Sequence, residues 1–373
     1  MSNRTILYLT PLYPPERGGA AEYFSILVDE IKKNKDVTRI YVISSYNWSF
    51  PIKSLSSQIK IYRLIYPKLG TGSALKKIIA LTLNILSSLI VFVIFFCKLH
   101  KNDIVHFHSS FCPLWPKRGL KVNWPFFIFL KMLGLKGIIR IMDIRDRLSI
   151  PHIRTYEEVV DHIICASENI YKDAKKVLLH TQKCVHIPIP LRGLDQFLDP
   201  KEFERYQKYR PYIAFVGDIV REKGICELVK AVEILRNKGI LLSLVVVGPP
   251  TDKKLVSELE SIDFVVYLGP KSHKDVANIM YVSELIALPS HSEGMPRVCL
   301  EAAQLGKKFL APPGIPEFER GCPEVVTRIL LPNEIAEKID ILLHKKKLSF
   351  YNISVHNEMT VMQELKALYK IKN

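Results

Sequence analysis

Two glutamates eight positions apart are the residues of this sequence whose type and spacing best suit chemistry. Glu293 falls in a loop that contains Pro296, and Glu301 lies at least one turn into the helix that can begin there. A carboxylate accepts hydrogen bonds, so the pair suits the hydroxyl groups of a ligand. Glutamates are also common on solvated helix surfaces, and for two isolated residues that alternative stays open.

The residues around the two glutamates predict a strand, a loop and a helix. The short apolar run 284–288 is typical of a buried strand, and Gly294, Met295 and Pro296 form the turn that follows. In a parallel α/β sheet such a loop lies at the carboxyl ends of the strands, where ligands bind, and the N–H groups of the new helix favour an anion. The expected ligand therefore carries both phosphate and sugar.

The sequence Glu-Gly-x-Pro, with a second Glu eight residues after the first, resembles the E-x7-E motif of GT-B glycosyltransferases, in particular the retaining enzymes of family 4. The resemblance implies an α/β fold of two Rossmann-like domains that face each other across a cleft, with a C-terminal helix that returns to the first domain. It also implies that Glu293 faces the donor sugar and Glu301 the nucleotide ribose.

A second turn, after the predicted strand 212–217, carries positive charge. Arg221 and Lys223 lie near the start of a predicted helix, where they suit a diphosphate. The run resembles the VGR…KG motif of the family, and Lys223 falls in register with its phosphate-binding lysine. Asp218 stands where the family usually has arginine, so Arg221 is expected to replace that arginine. The predicted catalytic residues are Glu293, Lys223 and Arg221.

Paired glycines follow the first predicted strand, 5–10. Gly18 and Gly19 let a loop approach a ligand closely because no side chain intervenes, although a flexible turn has the same composition. The arrangement resembles the glycine-rich N-terminal loop of GT-B enzymes, which implies contact with the donor. The predicted donor-binding residues are Gly18, Gly19, Gly217, Lys223, Glu293, Gly294, Met295, Pro296 and Glu301.

Polar side chains also follow two other predicted strands, 103–108 and 137–141. The predicted acceptor or cleft residues are His106, His108, Asp143, Arg145 and Asp146. The segment 142–147 resembles the D-x-R-D run of family 4 enzymes that build bacterial surface polysaccharides. Met142 stands where many relatives have histidine, so a cleft histidine would have to be His106 or His108. Packing within a strand, and a simple pair between Arg145 and Asp146, are the alternatives.

The 373 residues suit two domains, and the formal charge of +16 is unevenly divided between them. Residues 1–190 hold 27 Lys and Arg against 13 Asp and Glu, whereas residues 191–373 hold 26 against 24. A basic first half indicates a polyanionic partner, either a membrane with acidic lipids or a nucleic acid. A merely lysine-rich soluble surface is the third alternative.

Two stretches of the first half favour the membrane. Residues 78–97 are about twenty mostly apolar residues, which fit a helix dipping into the membrane interface, a buried helix or a span. Residues 111–135 mix aromatic and basic side chains, a composition that suits lipid headgroups or single-stranded nucleic acid. The N-terminus lacks a signal-peptide pattern and the seven cysteines lack C-x-x-C spacing. We therefore expect a cytoplasmic protein, peripheral on the inner face of the cell membrane.

The sequence predicts domain boundaries as well. They are an N-terminal acceptor- and membrane-facing domain at 1–190, a linker at 191–211, a C-terminal nucleotide-sugar-binding domain at 212–354, and a returning helix at 355–373. Together these features predict transfer of a hexosyl unit, with retention, from a nucleotide-diphosphate sugar to a lipid-linked or other glycan acceptor, without a metal or other cofactor. The expected partners include an anionic membrane surface and no nucleic acid. A non-catalytic nucleotide-sugar-binding subunit, a nucleic-acid-binding protein and a nucleotide-sugar isomerase are the alternatives.

Overall fold

The structure is a computed structural model, and it divides into two compact units. The first comprises residues 1–190 and 358–373, and the second residues 191–357. The residues that it describes are 3–15, 18–46, 57–65, 89, 92–111, 124–145, 147–345 and 351–371. Asp146, most of the apolar stretch 78–97 and residues 112–123 of the aromatic and basic stretch lie outside these ranges. None of the helices within them is long and apolar enough to cross a membrane.

The first unit is built on a sheet of seven parallel strands in the order β3-β2-β1-β4-β5-β6-β7. The strands are β1 Arg4–Thr10, β2 Val37–Tyr46, β3 Ile59–Ile65, β4 Ile104–His108, β5 Ile139–Ile144, β6 His162–Cys165 and β7 Cys184–His186. The helices are α1 Gly19–Ile31, α2 at residues 92–98, α3 Trp124–Leu135, α4 Ile150–Tyr156 and α5 Glu168–Val177, with the C-terminal α13 Glu358–Leu368.

Alternate residues of each central strand enter different cores, because successive side chains of a strand point to opposite faces. In β1, Leu7 and Leu9 pack in the core that α2 and α3 cover, whereas Ile6 and Tyr8 pack in the core that α1 and α13 cover. All five residues of β4 are buried, as expected for a parallel strand covered on both faces. The returning C-terminal helix is therefore part of the core of the first unit.

The second unit has five parallel strands in the order β10-β9-β8-β11-β12. The strands are β8 Tyr212–Val216, β9 Ser243–Val247, β10 Val265–Tyr267, β11 Leu285–Ala287 and β12 Phe309–Leu310. The helices are α6 Pro200–Gln207, α7 Ile225–Asn237, α8 Lys253–Glu260, α9 His273–Val282, α10 Arg297–Gln304, α11 Pro316–Gly321 and α12 Pro332–His344. The strands predicted around Glu293 and Lys223 are thus present, each within about two residues of its expected ends.

The structure corrects the expected linker at 191–211. These residues belong to the second unit and include α6, because their apolar side chains are buried there: Leu194 is 3% exposed and Tyr206 2%. The Tyr206 hydroxyl donates to Asp275 at 3.0 Å, and the amide of Asp199 donates to the side chain of Asn278 at 2.9 Å. The segment is therefore anchored on α9.

Two further differences concern strands. The strand expected at 137–141 runs from Ile139 to Ile144, so Asp143 lies inside β5 rather than after it. The sequence analysis also missed β3 and β7, the two edge strands of the first sheet.

Candidate functional site

The loops after β8 and β11 meet at the point where the order of the second sheet reverses. The chain proceeds from β8 to β9 and β10 on one side and returns to β11 on the other side of β8. In open parallel sheets, ligands bind beyond the carboxyl ends of the two strands at such a reversal. The loops that carry Lys223 and Glu293 therefore lie where the fold itself favours a ligand.

An ion pair joins these two loops. Lys223 Nζ lies 2.6 Å from Glu293 Oε1, and the two side chains are 29% and 13% exposed. The pair is thus shielded from solvent yet open on one side. A lysine here can exchange its carboxylate partner for a phosphate oxygen, and the carboxylate can then accept a hydrogen bond from a hydroxyl group. The structure brings together the two residues that the sequence analysis assigned to the sugar and to the diphosphate of one ligand.

The backbone of the two loops is in close contact at Gly224. This glycine has φ +72°, and a Cβ atom added to it would lie 1.8 Å from the carbonyl oxygen of Pro289. The carbonyl oxygen of Glu222 also accepts the amide of His291 at 2.9 Å and the hydroxyl of Ser290 at 3.2 Å. Only glycine permits this approach, and the approach sets the distance between Lys223 and Glu293.

Glu301 lies on α10, where its partner is Arg297 one turn earlier. Arg297 Nε donates to Glu301 Oε1 at 2.9 Å, and both side chains are largely buried at 16% and 12% exposure. The sequence analysis missed Arg297, although the spacing of four on a helix is a signal for such a pair. Gly294, Met295 and Pro296 fall between Glu293 and this helix, and Pro296 is its N-cap residue.

Arg221 is directed to a different partner. Its guanidinium donates to Glu258 Oε2 of α8 at 2.8 Å and to Cys226 Sγ at 3.3 Å, and its side chain is 57% exposed. The structure therefore pairs Lys223, but not Arg221, with Glu293.

Gly217 directly follows β8, and its amide donates to the carbonyl oxygen of Val247 at 3.0 Å. The carbonyl oxygen of Gly217 lies so close to Gly248 that a Cβ atom added to Gly248 would be only 1.7 Å from that oxygen. Gly18 and Gly19 belong to the first unit, at the N-terminal end of α1. Gly18 has φ +136° and is the N-cap residue, and a Cβ on Gly19 would meet no atom within 4 Å. Both glycines fall at the reversal of the first sheet, between β1 and β4.

A second group of polar side chains is buried in the first unit, at β4 and β5. His106 Nε2 lies 3.3 Å from Asp143 Oδ2, and Arg145 Nη2 donates to the same oxygen at 3.0 Å. His106 and Asp143 are fully buried, and the side chain of Arg145 is 11% exposed. The Arg145 guanidinium also lies 3.2 Å from the ring centroid of Tyr23, a residue of α1. The sequence candidates His106, Asp143 and Arg145 are thus in one cluster.

The C-terminal part of the chain completes this cluster. The hydroxyl of Tyr369, just after α13, lies 2.5 Å from His106 Nδ1 and 3.4 Å from the Tyr8 hydroxyl. The sequence analysis missed Tyr369 and Tyr23, since neither belongs to a motif. His108, which is 6% exposed, is turned toward its own loop, where its Nδ1 accepts the amide of Ser110 at 3.0 Å.

Burial and charge shift the pKa values of this cluster in opposite directions. Burial lowers the pKa of His106 despite the neighbouring Asp143. Burial alone would raise the pKa of Asp143, but the positive charge of Arg145, with His106 and His108, holds it well below its usual range. Burial, and then the charge of Asp143, raises the pKa of Tyr23. The cluster thus combines a neutral imidazole with an ionised Asp143–Arg145 pair.

Three polar atoms of the cluster have no hydrogen-bond partner among the residues that the structure describes. They are the Tyr23 hydroxyl, Asp143 Oδ1 and Arg145 Nε. Buried polar atoms are normally paired, so a hydroxyl-rich ligand or ordered water suits this position. For metals, no group of three or more His, Cys, Asp or Glu side chains within the described ranges is arranged to hold an ion.

Comparison with known proteins adds to this geometry. Residues 199–351 match the family described as Glycosyl transferases group 1. The capsular polysaccharide biosynthesis glycosyltransferase CapM of Staphylococcus aureus is 35% identical over 157 residues, which are 40% of this chain and 40% of that protein. The alpha-D-kanosaminyltransferase of Streptomyces kanamyceticus is 25% identical over 251 residues, 60% of this chain and 65% of that protein. The chain thus spans less than two thirds of the length of either relative.

Solved structures match nearly the whole chain at low identity. A sucrose-phosphate synthase from Thermosynechococcus elongatus has a TM-score of 0.75 at 16% identity, covering 99% of this chain and 98% of that one. Anabaena HepE, in complex with UDP and glucose, has a TM-score of 0.70 at 13% identity, covering 99% and 100%. These matches confirm the predicted GT-B fold of two parallel-sheet α/β domains, and the family match confirms the resemblance drawn from the motifs of the second half.

Proposed function

We propose that the protein transfers a hexosyl unit from a nucleotide-diphosphate sugar to a glycan acceptor. The premise is that residues 199–351 match the glycosyl transferases group 1 family, in a chain of GT-B fold. The observation that carries the proposal is the ion pair of Lys223 and Glu293 at 2.6 Å, where the loops after β8 and β11 meet. The domain match supports the reaction, and the ion pair supports the place at which the donor binds.

In the proposed complex the donor separates this pair. The ammonium of Lys223 binds the diphosphate, and Glu293 accepts hydrogen bonds from hydroxyl groups of the sugar. Glu301, held by Arg297, accepts hydrogen bonds from the hydroxyl groups of the ribose. The bond between the anomeric carbon and the diphosphate oxygen breaks, and a bond to the acceptor hydroxyl oxygen forms. The hydroxyl proton leaves with the nucleoside diphosphate. Lys223 stabilises the charge that develops on the diphosphate, so we propose that no metal is required.

We further propose that the acceptor is bound by the first unit and is lipid-linked, at the cytoplasmic face of the membrane, and that the anomeric configuration is retained. The unpaired oxygens of Tyr23 and Asp143, with Arg145, suit the hydroxyl groups of a sugar. The basic first half, with 27 Lys and Arg against 13 Asp and Glu in residues 1–190, supports an acidic membrane surface as partner. That HepE was solved with UDP supports a uridine nucleotide as one donor to test.

The proposal is tested by sugar transfer with purified variants. Lys223→Ala and Glu293→Ala should each lower kcat by about 10²–10³-fold, the usual effect of removing one charge-stabilising group, while circular dichroism shows the native fold. Lys238→Ala, at an exposed position of the second unit, is the matched control. Wild-type turnover in Lys223→Ala and Glu293→Ala would refute the site.

Arg221 stays a predicted catalytic residue, and Arg221→Ala tests it separately. Because its guanidinium is paired with Glu258, loss of turnover in that variant would mean that Arg221 changes partner when the donor binds. A wild-type chain that binds nucleotide sugars but neither hydrolyses nor transfers them would support the non-catalytic subunit instead.

A further inference from the structure

Helices α2 and α3 form one layer over the first sheet. The ring of Phe92 stacks on that of Phe129, with centroids 4.5 Å apart and an interplanar angle of 13°. Lys136, just after α3, donates from Nζ to the carbonyl oxygens of Phe96 and Leu99 at 2.5 and 2.7 Å. The inner faces of both helices are buried in the same core. Their outer faces therefore belong to one continuous surface of the first unit.

This outer surface carries large apolar side chains that are exposed to solvent rather than buried. Ile128, Met132 and Leu135 are 53%, 42% and 86% exposed, and their spacing of four and three places them along one side of α3. On α2, Val93 and Ile94 are 62% and 40% exposed. We call these five residues the α2–α3 face. Contiguous exposed apolar surface of this kind marks a site of interaction.

The segment of the sequence that contains α2 and α3 carries almost no negative charge. Residues 37–142 contain 15 Lys and Arg but a single acidic residue, Asp103. Asp103 is 3% exposed, and its carboxylate accepts the amides of Thr5 at 2.7 Å and His100 at 2.8 Å. On α3 itself, Lys131 is exposed between Ile128 and Leu135. No exposed acidic side chain of this stretch offsets its positive charge.

We propose that the α2–α3 face docks on a bilayer of acidic phospholipids, with its apolar side chains inserted between the headgroups. An apolar strip in a chain segment whose exposed charged residues are basic matches a surface that is negative outside and apolar within. Glu158, exposed on the turn 157–159 that contacts α3, is the acidic neighbour from outside this segment. A second copy of the chain would bring an equal positive charge to the same face and be repelled. A nucleic acid would leave the apolar side chains uncovered. The inference rests on the proposed function, because a lipid-linked acceptor is the reason that the protein needs a membrane. It adds the surface that contacts the membrane.

The test is flotation of the full chain with vesicles of phosphatidylcholine alone or mixed with phosphatidylglycerol. Wild type should bind the acidic vesicles, less at high salt, and not the neutral ones. Ile128→Gln with Met132→Gln should weaken binding by about tenfold or more, because two apolar side chains no longer insert. Lys131→Gln should weaken it by about fivefold, the usual contribution of one lysine at an acidic surface.

Matched controls come from the second unit. Ile329 and Leu331 are exposed to a similar extent, 52% and 56%, so Ile329→Gln with Leu331→Gln should bind vesicles as wild type does, and so should Lys238→Gln. All substitutions are at exposed positions, and unchanged thermal unfolding verifies the fold. If the double variant of α3 nevertheless unfolds, Lys131→Gln and Ile128→Gln alone carry the test.

Several results would overturn the proposal. They are absence of wild-type binding to acidic vesicles, equal binding to neutral vesicles, and wild-type binding by the α3 variants. A sedimentation-velocity result in which wild type self-associates and the α3 variant does not, without vesicle binding, would assign the face to a second copy of the chain. The α3 variant should still be stabilised by UDP-glucose if wild type is, so failure of docking and failure of the donor site give different results.

Discussion

Substitution of Gly224 by alanine tests the contact between the two loops that hold Lys223 and Glu293. Gly224 has φ +72°, a conformation that costs an L-residue about 1–2 kcal/mol. The new Cβ would lie 1.8 Å from the carbonyl oxygen of Pro289, so one loop must move, and overpacking of this kind costs about 1–3 kcal/mol more. Gly224→Ala should therefore lower the free energy of unfolding by about 2–5 kcal/mol in total.

Gly269 offers a matched control. Its φ is +70°, but a Cβ there meets no atom within 4 Å, so Gly269→Ala should cost only the conformational part, about 1–2 kcal/mol. In thermal unfolding followed by circular dichroism, the difference between the variants should be about 2–4 °C for each kcal/mol in a domain of this size. Gly224→Ala should also lose stabilisation by the nucleotide sugar, since the shifted loop separates Lys223 from Glu293. Equal Tm losses in the two variants would refute the loop contact.

Three further predictions concern the other buried groups. Tyr369→Phe leaves His106 Nδ1 without its partner, so it should lower the free energy of unfolding, measured in urea, by about 1–3 kcal/mol. Tyr281→Phe, at an exposed ring, is the control and should change the free energy of unfolding by less than about 0.5 kcal/mol. Because burial lowers the pKa of His106, the unfolded chain takes up a proton before the folded chain does as the pH falls. Stability should therefore decrease as the pH drops below about 6.5, and it should decrease less steeply in His106→Gln. Equal slopes in wild type and variant would contradict this prediction. Because burial raises the pKa of Tyr23 and Tyr369, the unfolded chain loses those protons first, so stability should also fall above about pH 10, and a flat profile there would count against their burial.

The local elements around the candidate site could be predicted from the sequence because they depend on neighbours in the chain. The apolar run before Glu293, followed by Gly294 and Pro296, predicts strand, loop and helix, and β11 and α10 are present. Ser167 is a second example, because serine is a favoured N-cap residue and its hydroxyl accepts the amide of Ile170 at 3.4 Å at the start of α5. Where a few adjacent residues decide a conformation, the pattern is sufficient.

The contacts of the site depend on strand order, which no local pattern contains. Lys223 and Glu293 are 70 positions apart and meet because β11 returns beside β8. His106 meets Tyr369 across 263 positions for a similar reason, since α13 packs on the first sheet. The same holds for Arg221, whose partner Glu258 could not be deduced from the charge of its own turn.

The errors of the sequence analysis have identifiable causes. The polar composition of 191–211, directly after the turn-rich run 187–190, resembles a linker, although Leu194 and Tyr206 are buried in the second unit. Strand β3 carried a usable signal, because Ile59 and Ile61 alternate with polar residues as in a half-buried strand. Strand β7 has only three residues, too few for such a pattern.

The most direct test of the account is a thermal-shift titration of UDP-, GDP- and ADP-linked sugars against wild type, Lys223→Ala and Glu293→Ala. A cognate donor at about 100 times its Kd should stabilise wild type by about 2.7 kcal/mol. Both variants should lose most of this stabilisation, because each removes one half of the pair that joins the loops after β8 and β11. A wild-type chain that responds to none of these donors, or variants that respond as wild type does, would contradict the assignment of Lys223 and Glu293 to the donor site.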